Sequence, residues 1–146
     1  MLLTSLFYYI GHPKVQERLW QELDPFFEQI ESDVSTVTTD DGRPQISLDK
    51  LKDLKYLECV IKEGLRLNPS VPFVGRKVHE DMVIKDYQIP KGTIVYCFIY
   101  MLHRDPDIFP EPEKFKPERF LPENSAGRHP FAYVPFSAGP RNWYVS

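Results

Sequence analysis

The sequence predicts an α+β chain whose first half is mainly helical and whose second half is short strands and proline-stiffened coil. Two observations carry that prediction. Apolar residues recur at helical spacing through most of residues 2–65, whereas eleven of the 14 prolines lie at or beyond Pro69 and eight fall between Pro106 and Pro140. Proline removes a backbone donor and fixes φ, so that density excludes long helices and interior sheet strands there. The length of 146 residues suits a single domain. With 42% hydrophobic and 14% aromatic residues, the chain is too apolar for wholesale disorder, and a formal net charge of −3 argues against a nucleic-acid surface.

Taken in order, Leu2, Leu3, Leu6, Phe7 and Ile10 predict a helix that stops at Gly11, with Pro13 opening the next. Ten residues are about half of the roughly 20 needed to span a membrane, so Met1–Ile10 reads as a core helix end rather than an anchor. Val15, Leu19, Leu23 and Phe26 or Phe27 predict an amphipathic helix to about Asp24, ended or kinked by Pro25. The polar stretch from Glu31 to Pro44 predicts an exposed loop. Ser47 is the expected N-cap of one long helix with a stripe of Leu48, Leu51, Leu54, Leu57, Val60, Ile61, Gly64 and Leu65, ending before Asn68-Pro69. Val83-Ile84, a turn at Lys85-Asp86 and Tyr87–Ile89 predict a hairpin. The run Thr93–Tyr100 is apolar on both faces and predicts a strand covered on both sides. Beyond His103 nothing is periodic, yet Phe109, Phe115, Phe120, Phe131, Tyr133 and Phe136 predict an ordered, packed coil.

Cys59, placed about opposite the helical stripe, and Cys97, in the apolar strand, show no spacing for a zinc or disulfide framework. His12, His79, His103 and His129 are scattered, which argues against a metal site. No GxGxxG, P-loop, HExxH or GxSxG occurs.

Glu63 and Arg66 stand three apart on the long helix, an arrangement that alone means a solvated pair giving roughly 0.2 to 0.5 kcal/mol. Their company changes the reading. Glu63-Gly64-Leu65-Arg66, Leu102-His103-Arg104-Asp105-Pro106, Pro117-Glu118-Arg119-Phe120 and Phe136-Ser137-Ala138-Gly139-Pro140-Arg141 follow one another in order. This set resembles the cytochrome P450 monooxygenases, whose last third carries an ExxR helix, a PERF segment and a heme loop of the form FxxGxRxCxG. The likeness runs from about Ile10 to Asn142, and its wording looks most like the animal branch that contains fatty-acid ω-hydroxylases.

The resemblance implies a mainly helical fragment of that fold, a single incomplete domain over 1–146: the end of the long I helix, the J and K helices, a small β-sheet, a proline-rich meander and a partial heme-binding loop. It implies a buried triad of Glu63, Arg66 and Arg119 that joins the ExxR helix to the meander. Arg76, Phe136, Gly139 and Arg141 match heme-binding positions, and Val71, Phe73 and Val74 match the wall of the substrate cavity. The family implies heme as cofactor, an NADPH-dependent reductase and a small apolar substrate as partners, and the endoplasmic reticulum membrane; the fragment, without the anchor, is expected to be cytoplasmic or peripheral.

One departure matters most. Where the heme loop should continue with cysteine after Asn142, the sequence has Trp143 followed by Tyr144-Val145-Ser146. The chemistry needs a thiolate on iron, and an indole neither carries that charge nor ligates the metal. The family's oxygen-activating acid and threonine are also expected upstream of Met1. The chain as written is therefore expected not to hold heme stably and to be catalytically incompetent. The other reading is a non-catalytic splice or gene-model fragment that acts at most as an interaction module.

Overall fold

The computed structural model describes residues 11–32 and 48–137. The expected helix at Leu2–Ile10, most of the expected loop after Glu31, the Ser47 cap, and Gly139, Arg141 and Trp143 lie outside the described residues. The described residues fall into two compact units, one built from residues 11–32, 48–64 and 115–126, the other from residues 65–114 and 127–137.

In the first unit, α1 (Pro13–Ser32) opens with proline in its first turn, and the His12 carbonyl accepts the Val15 and Gln16 N–H groups. Val15, Leu19 and Ile30 are buried. The helix continues through Pro25 rather than ending near Asp24. Proline there removes the N–H that would reach the Gln21 carbonyl, a cost of about 3 kcal/mol in a helix interior. The packing of Ile30, one of the most buried apolar residues, opposes that cost and keeps the last turn helical.

The expected long helix is two. α2 (Leu48–Leu51) passes into tight i−3 hydrogen bonds from Lys52 to Asp49, Asp53 to Lys50 and Leu54 to Leu51 before α3 (Lys55–Leu67) begins. Leu54, Val60, Gly64 and Leu65 of the expected stripe are buried, and the buried face of α3 is wider than that stripe. Leu51 and Ile61 are exposed, while Tyr56, Cys59, Val60, Glu63, Arg66 and Leu67 are buried. Cys59 thus belongs to the packed face. The division between the two units falls within α3, between Gly64 and Leu65. The first unit also holds a 3₁₀ turn at Pro117–Phe120 and α5 (Pro122–Ser125).

In the second unit, β1 (Val74–Lys77) pairs antiparallel with β4 (Ile94–Cys97), Val74 opposite Cys97 and Arg76 opposite Val95. A separate hairpin joins β2 (Met82–Ile84) to β3 (Tyr87–Ile89) through Lys85, which takes a left-handed φ of 54°. The expected strand from Thr93 to Tyr100 is shorter, and Ile94, Tyr96, Cys97 and Phe98 are exposed. After Phe98 the backbone turns into α4 (Ile99–Leu102), where the Tyr100 N–H donates to the Pro72 carbonyl and the His103 N–H to the Ile99 carbonyl. A 3₁₀ turn at Pro130–Ala132 follows later, its Phe131 N–H accepted by Nδ1 of His129. Pro117, Pro122 and Pro130 each open a short helical turn, where the missing donor is one that a helix start leaves unpaired anyway.

Candidate functional site

In the first unit, Glu63 is fully buried on α3 and its Oε1 accepts two hydrogen bonds: from Nε of Arg119 at 3.0 Å and from the Lys116 N–H at 2.9 Å. One carboxylate thus holds both the backbone at the entry to the Pro117–Phe120 turn and the guanidinium inside it. The neighbouring Glu118 works at the rim of the same turn. Its Oε1 accepts from Arg18 of α1 at 3.1 Å and from the Tyr56 hydroxyl at 2.8 Å, and the Arg18 guanidinium lies over the Tyr56 ring. Burial and the Glu118 carboxylate keep the Tyr56 hydroxyl protonated, well above the usual phenol range.

In the second unit, Arg66 is also fully buried, and its fork reaches two carbonyls: Nη1 donates to His103 at 2.9 Å and Nη2 to Lys114 at 3.2 Å. The sequence pattern placed Glu63, Arg66 and Arg119 together as charges. In the structure Glu63 meets Arg119, and Arg66 donates to the backbone oxygens of His103 and Lys114.

Arg76 stands at an apolar slot of about 580 Å³ lined by Val74, the run Val95–Ile99, Leu102, Phe131, Val134 and Ser137. Alternation along the paired strands puts Val74, Arg76, Val95 and Cys97 on one face of the ribbon. Arg76 donates through Nη1 to the Gly75 carbonyl and through Nη2 to Oγ of Ser137 at 3.2 Å. Of the residues expected at the substrate wall, Val74 lines the slot, while Val71 and Phe73 are exposed and do not. Phe136 is likewise exposed and not among the lining residues.

Sequence reading missed Phe131, Val134 and Ser137 as slot residues, and it missed His103. That histidine is fully buried, and its Nε2 accepts the Val134 N–H at 2.9 Å. Nothing in the spacing of four isolated histidines separates it from the others; only its place between Leu102 and Arg104 in the quoted segment marks it.

An apolar slot edged by one arginine suits a flat apolar ring that carries carboxylates, so Arg76 and the lining fit the ring and carboxylates of heme. The iron ligand is a different matter, because the residue after Asn142 is Trp143. Among the described residues no cluster of three or more metal-ligating side chains occurs, and no helix is long and apolar enough to cross a membrane.

A family model described as cytochrome P450 matches residues 2–142. Among curated proteins, cytochrome P450 4V2 of Mus musculus is 51% identical over 138 residues, covering 94% of this chain and 24% of the relative. Cytochrome P450 4V2 of Homo sapiens shows the same identity and coverage, and cytochrome P450 4c3 of Drosophila melanogaster is 49% identical over an equal span. The chain spans about a quarter of the length of these curated relatives. It belongs to the cytochrome P450 family.

Proposed function

We propose that this chain carries the heme-edge portion of a monooxygenase that inserts one atom of O2 into an apolar C–H bond, and that the chain as written does not catalyse the reaction. The observation that supports the first half is the apolar slot with Arg76 at its edge. Arg76 would hold a carboxylate of the heme, Arg141 another, and Val74, Val95, Phe131 and Val134 would pack against the ring. Phe136 and Gly139 stand at matching positions of the heme loop and would help to hold it. A bound heme supplies oxygen activation at iron, which in this class depends on a cysteine thiolate. Trp143 stands where that cysteine is required, which supports the second half. Substrates of the full-length protein would be small and apolar, fatty-acid-like in keeping with the apolar lining and with Val71 and Phe73 nearby in sequence. Electrons would come from an NADPH-dependent reductase at the endoplasmic reticulum membrane. Glu63, Arg66 and Arg119 act as a structural set rather than as reacting groups.

The test is hemin titration of the purified chain followed by the reduced, carbon monoxide-bound spectrum. Either hemin fails to bind stoichiometrically or the bound form lacks the red-shifted thiolate band, and Trp143→Cys gains that band. A thiolate band in the unmodified chain overturns the inactivity reading, and its loss in Cys97→Ser then identifies the exposed slot cysteine as the ligand.

A further inference from the structure

Residues 131–137 form one wall of the slot, contributing Phe131, Val134 and Ser137. Ser137 takes a left-handed φ of 71°, unusual for a residue with a side chain, and closes on Arg76. Behind the wall lies His103. Its ring stacks on Tyr133 with centroids 5.1 Å apart and meets Phe109 edge-on, and Nε2 accepts the Val134 N–H at 2.9 Å. Because Nε2 accepts, the neutral ring carries its proton on Nδ1, which is buried. We propose that His103 is a pH-sensitive latch on this strap: neutral, it holds Val134 and so positions the slot wall; protonated, it lets the strap go.

The chemistry of the pocket makes the latch one-sided. A protonated ring has N–H on both nitrogens and cannot accept from Val134, so the bond that fastens the strap becomes a donor facing a donor. The charged groups that bear on the ring are the guanidiniums of Arg66, from α3, and Arg104, next in the chain, and both oppose a second positive charge. Tyr133 and Phe109 offer aromatic faces. Burial, the largest influence, together with the two guanidinium charges outweighs a hydrogen bond with the Arg66 backbone, which favours the charged ring, and holds the imidazole down at about 4. In an opened strap the ring returns to water and to a value near 6.5. The open form therefore binds more protons between these limits. The closed strap is fully favoured above pH about 6.5 and loses stability as pH falls toward about 4, where the loss levels off.

The inference rests on the proposed function only in taking the slot as the ligand-bearing site, and it is read without any ligand. The experiment is amide hydrogen exchange by NMR on the full 146-residue chain, from neutral pH down to about 4, with the His103 ring protons followed in parallel. The protection factor of the Val134 amide should fall about tenfold per pH unit across this window, while the β2–β3 hairpin amides keep theirs. His103→Gln retains an acceptor in place of Nε2 but does not titrate, so Val134 should stay protected at neutral pH and lose the pH dependence. A flat protection factor in the unmodified chain overturns the latch, as does an equally steep fall in His103→Gln. Should that variant not fold, coincidence of the Val134 slope with the titration of His103 in the unmodified chain decides. Failure of hemin to bind leaves every one of these readings unchanged.

Discussion

Two adjacent glutamate contacts separate a buried charge from a surface one. Glu63 is fully buried, and its partner side chain on Arg119 is about nine-tenths buried, whereas Arg18 and Glu118 each keep more than two-fifths of their side chains in water. Removing one partner of a buried pair leaves an uncompensated charge and costs about 3 to 5 kcal/mol, against about 0 to 1 kcal/mol for an exposed pair. Glu63→Gln should therefore lower stability in urea denaturation by about 3 kcal/mol or more, and Glu118→Gln by less than about 1 kcal/mol. Equal losses in the two variants would show that Glu63 is no more than a surface partner. The pairing of Glu63 with Arg119 was legible because both residues sit inside recognisable segments. The backbone contacts of Arg66 were not: two of its acceptors are the carbonyls of His103 and Lys114, and any residue supplies a carbonyl, so no side-chain pattern announces them.

Among the elements, α3 shows how a helix start is decided by a distant residue. Both carboxylate oxygens of Glu22, on α1, accept N–H groups from the first turn of α3, Oε1 from Tyr56 at 2.7 Å and Oε2 from Leu57 at 2.8 Å. A negative group at a helix N-terminus satisfies otherwise unpaired donors and opposes the positive end of the helix dipole. Local sequence pointed to Ser47 and a single helix, and it could not see a cap contributed from more than thirty residues away. One local signal of the break does exist. Leu48, Leu51, Leu54 and Leu57 repeat at intervals of three, the period of a 3₁₀ turn rather than of an α-helix, and the i−3 hydrogen bonds over Lys52–Leu54 fall within that repeat. Glu22→Gln replaces one acceptor by an amide that points its own donor at an N–H, so a loss of about 1 to 2 kcal/mol is expected, with a matching fall in urea midpoint. A change within a few tenths would mean that packing of Tyr56 and Val60 alone sets where α3 begins.

At the scale of the whole chain, apolar surface outruns what the fold covers. The hairpin and the Lys85 turn were readable from alternation and turn residues, and the packed coil was readable from its phenylalanines, of which Phe109, Phe115 and Phe120 are buried. The double-sided cover expected for the run from Thr93 was not found, because periodicity records that a strand is apolar on both faces but not which partner covers it. The Phe73 ring packs against Tyr96 and Phe98 with centroids about 6 Å apart, Tyr96 and Phe98 also border the slot, and each of the three is about half exposed. Gly75 lies beneath Tyr96: an added Cβ would come within 3.2 Å of the tyrosine ring, so the missing side chain is what lets the ring lie down on the strand. The hairpin adds Met82, Val83, Ile84 and Tyr87, all exposed. Contiguous exposed apolar patches of this kind drive association, and a formal charge of −3 over 146 residues offers little repulsion against it. The chain should therefore self-associate in sedimentation velocity, its weight-average coefficient rising along a concentration series. Tyr96→Lys combined with Phe98→Lys puts two positive charges on the exposed aromatic cluster that borders the slot, and it should shift the distribution toward monomer while the far-ultraviolet circular dichroism stays unchanged. A monodisperse monomer at every concentration would show that these faces are not sticky enough to matter, and association that persists undiminished in the double variant would move the contact to the hairpin.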